Sequence, residues 1–193
     1  MKKYRFYYLA CLMLISLSQI TFAQNTQMQW TQLSSVGLYD LGGKITHIKP
    51  SKLTVFVLLS PECPLSRNYV TVLNKLVAQN QAAFYGIVPG GAYSVADVAK
   101  FSKDYKANFP VFIDKSSKLT KSLHGSTTPE CILTNENGHV IYRGLIDNWA
   151  YSLGKQRKVV TEKYLEVALT QTHAGKPVVV EHTKPVGCLI NDI

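Results

Sequence analysis

The stretch Leu53-Thr54-Val55-Phe56-Val57-Leu58-Leu59-Ser60-Pro61-Glu62-Cys63-Pro64 decides how this chain is read. Seven apolar or β-branched residues in a row have the length and composition of a strand buried on both faces. Ser60-Pro61-Glu62 breaks the run as a turn. From Leu65 onward, Tyr69, Val72, Leu73, Leu76 and Val77 recur at helical spacing. Pro64 suits the first helical position, where its missing N–H would have no partner anyway. A lone thiol, Cys63, is thereby set at a strand-to-helix junction. There the unpaired N–H groups and the helix dipole favour a thiolate. The spacing makes Cys63 a candidate redox nucleophile rather than an inert core thiol.

Four residues carry the local chemistry as Cys63-Pro64-Leu65-Ser66. Ser66 lies one turn beyond Cys63. A serine there can donate a hydrogen bond to a thiolate but cannot form a disulfide. Cys63 can therefore attack a disulfide or a peroxide, and its release requires another thiol.

Working outward, strand and helix signals alternate. Val36–Ile48 reads as a hairpin around Gly42-Gly43, and Ala83–Val88 as a second buried strand. Ser94, with Asp97 three residues on, reads as the N-cap and capping box of a helix from Val95 to about Lys106. Val111–Ile113 is a short strand, followed by a helical turn from Ser116 to about Leu123. Cys131–Thr134 and His139–Tyr142 flank Asn135-Glu136-Asn137-Gly138, a hairpin signal. A last helix runs from Thr161 to about Thr172. Residues 24–33 read as polar and loose, and 176–193 as an extended tail. The order implies an α/β fold, a mixed central sheet with helices on both faces.

The chain starts with Lys2, Lys3 and Arg5, an apolar run from Tyr7 to Leu17, and Thr21-Phe22-Ala23. This reads as a signal peptide over residues 1–23, with a retained anchor as the other reading. Export to a periplasmic or extracellular compartment is expected, with no stable membrane insertion. Of the four cysteines in 193 residues, Cys11 falls in the leader. Cys63, Cys131 and Cys188 remain, an odd number that excludes a pure disulfide framework. The formal charge of +9 comes from scattered lysines, the pattern of a solvated face rather than of a nucleic-acid site. No G-x-G-x-x-G follows a strand, so no cofactor is implied. No histidine or cysteine pair has close metal-ligand spacing, and no metal is assigned.

Four stretches together make a resemblance specific. They are Ser60-Pro61-Glu62-Cys63-Pro64-Leu65-Ser66, then Thr128-Pro129-Glu130, then Tyr142-Arg143-Gly144-Leu145-Ile146-Asp147, then Val186-Gly187-Cys188. In this order they resemble the thioredoxin-like superfamily, and within it the exported redoxins of the AhpC/TSA, peroxiredoxin-like type. The resemblance covers roughly residues 34–173, with 174–193 as a tail carrying Cys188. It implies a thioredoxin-like fold and a cis Pro129, preceded by Thr128, beside the reactive cysteine. It implies thiol–disulfide exchange with a protein or small-molecule disulfide, or peroxide reduction, and an external thiol reductant. The peroxiredoxin pattern P-x-x-x-[TS]-x-x-C is met at Ser60 but not at Phe56, where the proline would stand. A separate arginine steadies the thiolate in that group, and Arg143 is the candidate.

Cys188 lies on a glycine-flanked tail that can fold back over the sheet, which makes it the candidate partner of Cys63. Such a bond would be redox-active if strained and exposed, structural if relaxed and buried. Alternatively the tail thiol stays free. Cys131, two residues after Pro129, either approaches Cys63 or belongs to the core. A reading of another class has His182, Cys188 and Cys63 converging on Cu(I) as a copper chaperone. Another is a thioredoxin-like binding module without catalysis.

Overall fold

The structure is a computed structural model that describes residues 30–79 and 82–191. The signal-peptide reading of residues 1–23 lies outside the described residues. Among the described residues, no helix is long and apolar enough to cross a membrane.

Strand β3 (Leu53–Leu58) is buried at every position, which is why its sequence shows no alternation. It pairs in parallel with β4 (Ala83–Pro89) and antiparallel with β7 (Glu130–Asn135). With β1 (Leu38–Tyr39), β2 (Ile45–Thr46), β5 (Val111–Asp114) and β8 (Val140–Gly144), the sheet order is β2-β1-β5-β4-β3-β7-β8. The sheet is mixed, with β3, β4 and β5 parallel.

The pleat sends alternate β3 side chains to opposite faces. Val55 and Val57 join one buried cluster and Phe56 and Leu58 the other. Helices α2 (Pro64–Gln79), α3 (Val95–Asp104) and α5 (Tyr164–His173) cover the first face, through Leu65, Tyr69, Leu73, Phe101, Leu165 and Leu169. Two short helices, α1 (Trp30–Ser35) and α4 (Lys118–Ser122), cover the second through Trp30, Leu33 and Leu119. The mixed sheet with helices on both faces agrees with the expectation from sequence. So does the α3 capping box, where Ser94 and Asp97 exchange hydrogen bonds. In the β7–β8 turn, Asn135 Oδ1 accepts from the N–H groups of Asn137 and His139, and Gly138 takes a positive φ.

Two expectations need correction. The end of the segment read as loose is helical: Trp30 and Leu33 are buried, and Trp30 Nε1 donates to the Asn135 carbonyl at 3.0 Å. Only two apolar residues anchor α1, too few for a periodic signal. The tail is extended as expected, but it is also fastened. Residues around Glu181–Thr183 lie along β8, and β11 (Cys188–Leu189) pairs antiparallel with β6 (Thr127–Thr128). A hairpin of β9 (Ala150–Ser152) and β10 (Lys155–Gln156) lies between β8 and α5, in strands too short to carry a sequence period.

Candidate active site

The site is built where β3 ends. Leu59 N–H still reaches the Ile87 carbonyl of β4, at 2.8 Å, and then the chain turns. Cys63 N–H donates to the Ser60 carbonyl at 3.1 Å, and the Cys63 carbonyl accepts from Arg67 N–H at 3.2 Å. That carbonyl takes the first bond of α2, so Cys63 holds the cap position inferred from Pro64. Arg67 Nε donates to the Pro61 carbonyl at 2.6 Å and pins the turn.

Cys63 is 1 % exposed. Its thiol donates to the Thr128 carbonyl at 3.0 Å, and Cys188 Sγ stands 2.6 Å from Cys63 Sγ. The sulfurs are not bonded, but their separation is only about half an ångström beyond a disulfide bond. The Thr128–Pro129 peptide is cis, as the resemblance implied, and Thr128 is register-paired with Cys188.

The two thiols differ electrostatically. Burial raises the pKa of Cys63. It is outweighed by hydrogen bonds from the Cys188 thiol and from the N–H groups of Ser66, Cys188 and Leu65, leaving the thiol more acidic than usual. Cys188 moves the other way, to about 12, through burial and then through donating to, and lying beside, a negative Cys63 sulfur. Of the two thiols, Cys63 is therefore the one that ionises first, and Cys188 keeps its proton. Alkylation of Cys63 against pH should give a midpoint below the ~8.5 of a free thiol. Cys188→Ala removes the largest lowering contact and should move the midpoint up. A midpoint at or above the free value in the unmodified protein would contradict this electrostatic account.

Several candidates are placed differently from expectation. Ser66 does not turn its hydroxyl to Cys63: Ser66 Oγ accepts from Ser60 N–H at 3.1 Å, and only its backbone N–H serves the sulfur. Ser60 Oγ lies 2.9 Å from Tyr93 Oη rather than on the thiol. Arg143 is engaged elsewhere. Its guanidinium donates to the carbonyls of Leu123 and His124 and lies 3.6 Å from Glu130. It closes the C-terminal end of α4, because β8 carries it to the second face of the sheet. Cys131 is fully buried, and its thiol donates to the carbonyls of Gly144 and Leu145. Burial first, and then the nearby Glu130 carboxylate, push its pKa well up, so it is a core thiol. His182 forms a bridge beside Arg143. Among the described residues no group of three His, Cys, Asp or Glu side chains is arranged to hold a metal ion.

Two residues escaped the sequence reading. Tyr93 and Glu62 line a cavity of about 390 Å³ together with Ser60, Cys63, Thr128 and Cys188. Tyr93 Oη also donates to Glu62 Oε2 at 3.4 Å. The available signal was position. Pro89-Gly90-Gly91-Ala92-Tyr93 follows the C-terminal end of a parallel strand adjacent to β3, where open α/β sheets place ligands.

No family model matches the chain, and no curated protein matches it. Solved structures do. A hypothetical protein from Sinorhizobium meliloti 1021 is similar at TM-score 0.71 and 24% identity, over 82% of this chain and 91% of that one. A secreted disulfide oxidoreductase of Mycobacterium tuberculosis is similar at TM-score 0.51 and 19% identity, over 57% and 83%. A thioredoxin-like protein from Aeropyrum pernix is similar at TM-score 0.50 and 14% identity, over 57% and 81%. At these identities the likeness speaks for the fold. With the mixed sheet, the strand–cysteine–helix junction and the cis proline facing it, the chain has the thioredoxin-like fold.

Proposed function

We propose that this protein is an exported thiol–disulfide oxidoreductase in which Cys63 is the nucleophile and Cys188 the resolving thiol. The observation that carries this reading is the 2.6 Å approach of the Cys188 sulfur to a cysteine at the N-terminus of α2. The disulfide oxidoreductase among the structural neighbours supports it at the level of fold. Export rests on the leader sequence.

The chemistry balances in two exchanges. The Cys63 thiolate attacks one sulfur of a substrate disulfide, forming a mixed disulfide and expelling one thiolate. Cys188 then gives up its proton and attacks the Cys63 sulfur. The Cys63–Cys188 bond forms and the second substrate thiolate leaves. The first exchange prepares the second. Two of the causes that hold the Cys188 pKa high, the hydrogen bond to Cys63 and its negative charge, vanish once Cys63 is in a mixed disulfide. Cys188 thus becomes a better nucleophile when it is needed. An external thiol reductant returns the pair to the dithiol.

A peroxide reading uses the same sulfurs but has less support. Arg143 is held at the end of α4, and Phe56 replaces the peroxiredoxin proline. The test is stoichiometric. Reduced protein mixed with excess chromogenic aromatic disulfide should release two thiolates per chain, and mass spectrometry should find no retained adduct. Retained adducts on both cysteines would contradict resolution, and an inert Cys63 would contradict the nucleophile.

A further inference from the structure

The C-terminal strand does more than present Cys188. It covers the backbone edge beside Cys63. An extended polypeptide gains affinity for a site chiefly by hydrogen-bonding along an exposed strand edge. The edge next to Cys63 is β6, and the chain's own β11 already occupies it, Cys188 against Thr128 and Leu189 against Thr127. Ile190 N–H donates to the Ser126 carbonyl at 3.0 Å, and Thr128 Oγ1 donates to the Cys188 carbonyl at 3.3 Å. Gly187 rests so close to the Thr128 carbonyl that a Cβ would overlap it.

The strand is not a loose end. Upstream, Arg143 N–H donates to the Glu181 carbonyl and Thr183 N–H to the Arg143 carbonyl, each at 3.0 Å. Thr183 Oγ1 accepts from Leu145 N–H and meets Tyr142 Oη, each at 2.8 Å. Fastened on both sides of Lys184–Gly187, the tail is a strap across the site.

Cys63 is 1 % exposed, and the cavity beside Tyr93 is lined in part by Cys63 and in part by strap residues 188–191. At about 390 Å³ it is at the small end of ligand sites. Its wall carries two hydroxyls, of Ser60 and Tyr93, and the Glu62 carboxylate. We infer that the substrates are low-molecular-weight disulfides bearing an ammonium group, admitted through this cavity, and that the strap excludes polypeptide disulfides. The inference rests on Cys63 as nucleophile.

The test measures mixed-disulfide formation on Cys63 in Cys188→Ser, where the adduct persists and the backbone of the strap is unchanged. The probes are cystamine, the dicarboxylate dithiodiglycolate, and insulin. Each rate is divided by that of free cysteine with the same disulfide. Cystamine should exceed insulin by about tenfold or more, the cost of freeing several strand hydrogen bonds, and should exceed dithiodiglycolate. Adding Gly187→Ala, or ending the chain at Thr183, alters the surroundings of Cys63 for every probe, so the readout is the ratio: insulin relative to cystamine should rise by a similar factor. Insulin reacting as fast as cystamine with the strap intact would overturn the inference. So would a ratio unchanged by both tail variants, or dithiodiglycolate reacting faster than cystamine. A Cys63 that reacts with none of the three would overturn the proposed function instead.

Discussion

Cys188→Ser should stop turnover after the first exchange. Cys63 still attacks, because its place at the N-terminus of α2 and the N–H groups of Ser66 and Leu65 are unchanged. The mixed disulfide then has no internal thiolate to release it. Turnover should fall by about 10²-fold or more, the advantage of a positioned internal nucleophile over a dilute external thiol. Mass spectrometry should find the substrate thiol retained on Cys63. Cys63→Ser should abolish both exchanges. Cys131→Ser should do neither, since the Cys131 thiol is bonded to the carbonyls of Gly144 and Leu145 within the core. Trapped adducts in Cys131→Ser, or none in Cys188→Ser, would reverse the roles given to these thiols.

Among the glycines, the largest expected loss of stability lies at Gly144, buried at the end of β8. Its φ of 127° is a backbone conformation that side chains avoid, and a Cβ would collide with the Thr183 carbonyl. Gly144→Ala must either hold that strain or push Thr183 away from Tyr142, Leu145 and Arg143. We expect a loss of about 3 kcal/mol, combining backbone strain with overpacking. For a chain of this size that lowers the melting temperature by roughly 6–12 °C. Gly154→Ala is the control. Gly154 also has a positive φ, of 72°, but nothing lies within 4 Å of the added methyl. Its cost should be only the backbone term, about 1 kcal/mol. Equal melting temperatures for the two variants would show that the Gly144–Thr183 contact does not hold the tail.

The parts legible in the sequence were those with a local physical signature. Leu53–Leu59 had the continuous apolar run of a doubly buried strand, and Cys63-Pro64 had the chemistry of a helix start. Cys188 stood out because a glycine-flanked tail can travel while Cys131 is tied into a strand. What sequence did not show was set by tertiary partners. Strands β6 and β11, of two residues each, are too short to carry a period. Arg143 is drawn to the Leu123 and His124 carbonyls, a helix end that no spacing connects to β8. Ser60 and Ser66 sit where hydroxyl donors were expected, but each has another partner, Tyr93 Oη and Ser60 N–H. Tyr93 joins the site only because β4 lies beside β3, a relation of topology rather than of motif.

In the proposed function, Cys63 and Cys188 form the working dithiol. Peptide mapping without reduction tests it most directly, on protein oxidised with a small disulfide and with residual thiols blocked by alkylation. A Cys63–Cys188 linked peptide is expected, with Cys131 alkylated or unreacted. A Cys63–Cys131 link, or a persistent adduct on Cys63 with Cys188 still a free thiol, would contradict it.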